Sequence, residues 1–246
     1  MTTLRREREV RIDLAAAYRL AAQRGWDDTV YTHISASVPG EAGVYLINPF
    51  GARFGEITAS SLVKVDTRGR VVDGSNARVN PSGFAIHGCI HAARPELECV
   101  MHLHTPAGVA LAMLPDGLQA TSQWAMRLHG RLGRHAYEGL ALGAAEQARL
   151  VAALGALDGV ILANHGPLMV GRTVAECWML MYLLDRAAQA QLAAMAATGG
   201  RVSVVSDELA ALTQRQWVGD GSERDGDIEW PALLRGLDAV DPSYRQ

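Results

Sequence analysis

The sequence predicts an α/β domain: a mixed, mainly antiparallel sheet with helices on its faces. Three observations predict it. Residues 5–24 and 174–197 carry apolar side chains at helical spacing. Between residues 32 and 73, four short β-like runs alternate with turn chemistry. Two strongly apolar runs, 98–104 and 160–163, lie among predicted helices and read as buried strands.

Taken in order, the first helix rests on Val10, Leu14, Ala17, Tyr18 and Ala21, and Gly25 is a natural stop after it. The β-like runs are 33–35, 44–47, 62–65 and 70–72. Pro39-Gly40, Asn48-Pro49-Phe50-Gly51 and Asp66-Thr67-Arg68-Gly69 separate them. Ser82 is a plausible N-cap for a helix that Pro95 stops near Arg94. The run 98–104 follows as a strand. Thr105-Pro106 reads as N-cap and first residue of a helix reaching about Leu114. A mixed segment extends to about Gly139, a helix spans 144–157, and 160–163 is a strand. Thr173-Val174-Ala175-Glu176 is a capping box opening a long helix that Gly199-Gly200 stops. A last helix follows Trp230-Pro231. No repeat or linker stands out, so one domain is expected over 1–246, with 201–246 as a C-terminal arm.

Composition narrows the function. Of 246 residues, 49% are hydrophobic and 20% charged, enough apolar surface for a sizeable core. Net charge is −3 and no block of Lys or Arg marks a nucleic-acid footprint. The opening MTTLRREREVRIDL has charges where a signal peptide needs an apolar stretch. The apolar run 177–184 is cut by Asp185 and Arg186, too short for a membrane span. Three cysteines (Cys89, Cys99, Cys177) without CxxC spacing point to a reducing compartment, so a cytoplasmic protein is expected.

Three histidines carry the chemistry. His102 and His104 end the first buried run, and residues two apart in a strand face one way. His165 closes the second run, so a third imidazole can complete a facial set of nitrogen ligands. Such a set leaves coordination positions open for water or substrate, as a catalytic metal needs. The competing reading of any single His is a satisfied structural residue.

Order and spacing of several further motifs resemble the class II aldolase/adducin family over roughly residues 4–200. They are Pro81-Ser82 leading to His87, Arg94-Pro95-Glu96, Val100-Met101-His102-Leu103-His104-Thr105, Asn164-His165-Gly166 and Val170-Gly171-Arg172-Thr173. The resemblance implies a three-layer α/β/α fold with helices on both faces. It also implies a divalent metal on His102, His104 and His165, with Zn2+ first and Fe2+ or Mn2+ as alternatives. A homo-oligomer, usually a tetramer with sites at subunit boundaries, is implied as well. Family members acting on sugar phosphates use a glutamate three residues after the proline as acid/base, and paired serines with a loop asparagine on the phosphate. Here Phe84 stands at the glutamate's position, Gly83 at the second serine's, and His33 at the asparagine's. Phenylalanine offers neither a proton nor a lone pair. An unphosphorylated substrate, such as a small oxo or hydroxy acid, is therefore expected.

The parent chemistry is Lewis-acid stabilisation of an enolate beside a breaking carbon–carbon bond. Loss of the glutamate shifts expectation from aldol cleavage towards decarboxylation, or towards a different base. Candidates for that base are His33, His87, His91, His129 and Tyr137. His87 and His91 are four apart and share a helix face, where an orienting or structural role competes with a catalytic one. Ser35, Asn48, Ser82 and Phe84 are the expected substrate contacts, with caps and turns as the competing reading of the serines. Two alternatives to a lyase stay open: a non-haem Fe(II) oxygenase of aldolase-like type, since three histidines without a carboxylate suit iron, and a non-catalytic adducin-like interaction module.

Overall fold

A computed structural model of the chain describes residues 6–139, 143–219 and 221–246, without the side chains of Pro81, Ser82 and Phe84. Among the described residues seven strands form one sheet: β1 (His33–Ser37), β2 (Val44–Ile47), β3 (Val63–Asp66), β4 (Cys99–His102), β5 (Leu132–His135), β6 (Gly159–Leu162) and β7 (Gly166–Gly171). Their order is β3-β2-β1-β4-β7-β6-β5. Every pairing is antiparallel except β5 with β6. The helices are α1 (Glu7–Gln23), α2 (Pro81–Ala93), α3 (Pro106–Ala112), α4 (Gln123–Arg127), α5 (Ala144–Leu154), α6 (Val174–Thr198), α7 (Asp207–Val218) and α8 (Glu229–Val240).

Alternation along the strands sorts the core into layers. Cys99, Met101 and Leu103 join the cluster with α1 and α6, through Leu14, Tyr18, Trp178 and Leu180. Val100 points the other way, packing with Val160, Leu162, Leu168 and Val170 against Ile86 and Ile90 of α2 and Leu150 and Leu154 of α5. Helices thus cover both faces, as the sequence predicts. His102 and His104 share the parity of Val100, which sets His102 at the strand's end and His104 just beyond it on the α2 side.

Several sequence expectations need correction. The strand expected over 98–104 stops at His102, and His104 lies beyond it. Residues 70–72 form no strand; only a bridge from Val71 to Val65 survives. β5, β7, α4 and α7 have no counterpart in the sequence reading. β7, Gly-Pro-Leu-Met-Val-Gly, is buried at every position, so it lacks the alternation that announces a strand. Gly171 is required there: a Cβ would lie 2.5 Å from the Cys177 nitrogen.

The end of the chain packs on its own α1. Trp230 and Tyr244 join the main core. The Trp230 indole donates to Asp13 at 3.0 Å, and Arg19 pairs with Asp241 at 3.0 Å. Among the described residues no helix is long and apolar enough to cross a membrane.

Candidate metal centre

The sheet assembles the histidine cluster. His102, the last residue of β4, sits opposite His33 of β1 and Leu168 of β7. His165 lies in the tight turn joining β6 to β7. That turn depends on Asn164 at φ +56°, a conformation asparagine tolerates better than most residues. Gly166 lets the turn approach, since a Cβ there would stand 3.2 Å from the Leu103 carbonyl. The three rings then meet, with centroids 4.6 Å (His102–His165), 5.0 Å (His102–His104) and 5.0 Å (His104–His165) apart. One nitrogen from each lies within 4.8 Å of the others.

Hydrogen-bond partners fix which nitrogens face inward. His102 Nδ1–H donates to the Pro167 carbonyl at 3.0 Å, leaving Nε2 with a lone pair 3.2 Å from His165 Nε2. His104 Nδ1–H donates to Asp28 Oδ2 at 2.9 Å, and its Nε2 is buried with no partner among the described residues. A carbonyl or carboxylate behind a ligand imidazole is the arrangement that sets its tautomer and raises its basicity. Two nitrogens each ~2.0–2.1 Å from a tetrahedral ion stand ~3.3 Å apart, close to the spacing here. Burial pushes His102 well below the usual imidazole range and His165 down to about 4, so both keep their lone pairs at neutral pH. The donor set fits a divalent cation bound through three neutral imidazoles.

Asp28 was not foreseen, and no local pattern marks it. Its loop contains Thr29 at φ +54° and Thr32 at φ +66°, two β-branched residues in the left-handed region. Each costs on the order of 1 kcal/mol or more, and such strain persists where the surroundings enforce it. The Tyr31 N–H donates to the Asp28 carbonyl at 2.8 Å and closes the loop. Removing the carboxylate in Asp28→Ala is expected to weaken divalent-metal binding about 10- to 100-fold without loss of fold. A chelator competition titration measures this, and unchanged affinity would show that His104 needs no orienting partner.

The other expected residues divide. His33 is buried beside the cluster, its ring 6.2 Å from that of His102 and edge-on to His87 at 5.2 Å. Its Nε2 accepts from the Asn80 amide at 3.2 Å, and its Nδ1 has no partner among the described residues. Gly83 makes room for it: a Cβ there would come within 2.9 Å of His33 Cδ2. Burial pushes His33 down to about 3. Tyr137 is exposed and lines an open cleft with His165, His135 and Ile86. His129 lines a separate cavity with Asp116, Arg134 and Ile161, to which none of the three clustered histidines contributes. Asn48 faces inward, its Oδ1 2.8 Å from the Tyr18 hydroxyl, so the amide ties α1 to the sheet where a substrate contact was expected. Ser35 is wholly buried, its hydroxyl taken by His87 (2.6 Å) and His91 (2.8 Å). The expected contacts from the side chains of Ser82 and Phe84 lie outside the described residues.

Residues 12–192 match the family model described as the class II aldolase and adducin N-terminal domain. The structure of an aldolase II superfamily protein from Pseudomonas syringae is 42% identical, with TM-score 0.93, over 100% of this chain and 98% of that one. An L-fuculose 1-phosphate aldolase from Glaciozyma antarctica is 30% identical, with TM-score 0.86, over 98% and 93%. Alpha-adducin of Rattus norvegicus is 37% identical over 94% of this chain, which spans 33% of that relative's length.

Proposed function

The chain belongs to the class II aldolase and adducin family, and from that premise we propose that it is a metal-dependent carbon–carbon lyase acting on a small oxo or hydroxy acid. The observation that carries this reading is the three-histidine cluster, with His102 and His104 each held from behind through Nδ1 so that Nε2 keeps the lone pair. A divalent cation there, Zn2+ first and Fe2+ or Mn2+ next, would supply Lewis acidity to a substrate carbonyl.

The chain's own groups do the rest. His102, His104 and His165 would bind the ion, and Asp28 orients His104. The His33 ring stands beside the cluster, and its buried Nδ1 has no partner among the described residues. With Nε2 accepting from Asn80, the neutral ring carries its proton on Nδ1, suited to donate to a substrate oxygen. Tyr137 offers a phenol in the cleft that His165 also lines. The site is expected to lie at a subunit boundary of a homotetramer.

An unphosphorylated substrate is supported by chemistry at two positions. Gly83 brings no hydroxyl, and His33 fills the space a side chain at 83 would take. The likeness to a fuculose 1-phosphate aldolase makes the test direct. Metal-loaded protein is expected to cleave or decarboxylate small 3-oxo or 4-hydroxy-2-oxo acids. Fuculose 1-phosphate should turn over at least 100-fold more slowly. Rapid cleavage of the sugar phosphate would overturn the substrate assignment, and no turnover with any of these would overturn the lyase.

The 37% identity to alpha-adducin favours a second reading, an interaction module. A buried, unpartnered ligand nitrogen is costly without a ligand to satisfy it, which favours the enzyme. Iron content with oxygen uptake on a keto acid would instead mark the oxygenase alternative.

A further inference from the structure

Behind the metal centre, on the α2 face of β1, lies a buried chain of hydroxyls and imidazoles that the lyase chemistry above does not use. Its members are His87, Ser35, His91 and Ser37. Ser35 Oγ lies 2.6 Å from His87 Nδ1 and 2.8 Å from His91 Nε2. Ser37 Oγ lies 3.1 Å from His91 Nδ1 and 3.2 Å from the Leu97 carbonyl. Tyr45 stacks on His91 at 4.8 Å and holds its ring.

Counting protons orients the whole chain. The Leu97 carbonyl only accepts, so it takes the single Ser37 hydroxyl proton. Ser37 Oγ must then accept from His91 Nδ1–H. His91 is neutral, because burial alone pushes it down to about 3, so its Nε2 is unprotonated. Ser35 therefore donates to His91 Nε2 and accepts from His87 Nδ1–H. Burial holds His87 neutral too, and its Nε2 is left as a lone pair. That atom is buried and has no partner among the described residues. Its ring stands at right angles to that of His33, centroids 5.2 Å apart, and the His33 ring lies 6.2 Å from that of His102. A lone pair abandoned in a dry interior costs about 1–3 kcal/mol unless something comes to satisfy it. At the far end, Ser37 and His91 line an open cleft with Glu96 and Arg172.

We propose that His87 Nε2 is the proton acceptor of the metal centre, and that Ser35, His91 and Ser37 form a relay joining it to water in the cleft at the opposite end of β1. The use of the proton rests on the lyase reading above; the relay itself does not. Each hop is balanced. As His87 Nε2 gains a proton, its Nδ1 proton moves to Ser35 Oγ. The Ser35 proton moves to His91 Nε2, the His91 Nδ1 proton to Ser37 Oγ, and the Ser37 proton to water. One proton leaves, no ring keeps a charge, and every tautomer is inverted. The wire then runs only backwards, returning a proton to the site. That suits a reaction in which a base removes a hydroxyl proton and later protonates an enolate carbon.

The test needs neither metal nor substrate. Long-range 1H–15N spectra of protein labelled at histidine report each ring's tautomer. His87 and His91 are both expected as the Nδ1–H form at pH 7.5. Solvent exchange of the His87 Nδ1 proton is expected to outpace that of the buried α2 backbone amides. It should slow at least 10-fold in His91→Phe, which fills the space without nitrogens. Should His91→Phe fail to fold, Ser35→Ala breaks the same link, and Ser35→Thr should restore it. A purely structural cluster would exchange slowly in the wild type and faster in Ser35→Ala. An Nε2–H tautomer at His87, or exchange indifferent to both variants, would overturn the relay whatever the protein proves to catalyse.

Discussion

His104→Ala is expected to abolish stoichiometric divalent-metal binding while the protein stays folded. The two halves of that result have separate causes. His104 lies beyond the end of β4 with its side chain one-quarter exposed, so its loss opens no core cavity. The metal half follows from ligand count. Two imidazoles, His102 and His165, would remain with no carboxylate in the histidine cluster to replace the third. The Asp28 carboxylate behind His104 would lose its donor, but it is 46% exposed and can be rehydrated. Elemental analysis after dialysis reads the first half, and thermal melting the second. Wild-type protein should gain about 4 kcal/mol of stability at a metal concentration 1,000 times its Kd, and the variant none. Full occupancy in His104→Ala would dismiss the cluster as the metal centre.

Legibility in the sequence followed how local each determinant is. His102 and His104 were readable because strand parity is a two-residue property. His165 was readable because it ends an apolar run, although the structure places it in a turn that Asn164 closes, not at a strand end. α1, α3 and α6 announce themselves by period and caps; Thr105 and Thr173 both accept the expected N–H. β7 was hidden because a strand buried on both faces loses its alternation. Asp28 was hidden for another reason. It reaches a residue 76 positions away from a strained loop, and neither strain nor partner leaves a local trace. Asn48, read as a substrate contact, has its Oδ1 engaged by the hydroxyl of Tyr18, 30 residues earlier, a pairing no local pattern announces.

Acid is expected to unfold this protein well before its carboxylates are exhausted. His33 and His91 are buried, and burial pushes each from the ordinary imidazole range to about 3. Above pH ~6.5 both states leave these rings neutral, and the fold has its full stability. Between pH ~6.5 and ~3 the unfolded chain binds two protons that the native rings refuse, so stability falls as pH falls. Each ring contributes a slope of about 1.4 kcal/mol per pH unit, hence on the order of 5 kcal/mol for the pair between pH 6 and pH 4. A whole domain commonly holds only 5–15 kcal/mol. The exposed ion pairs, such as Arg70 with Asp66, do little to offset such a loss. Bound metal steepens the fall, because ligand imidazoles must stay unprotonated to hold it. Urea midpoints taken from pH 7 to pH 4 measure the slope, and His91→Phe should lower it by about one ring's share. A flat profile over that range would mean that water reaches these rings and that the interior behind the metal centre is not dry.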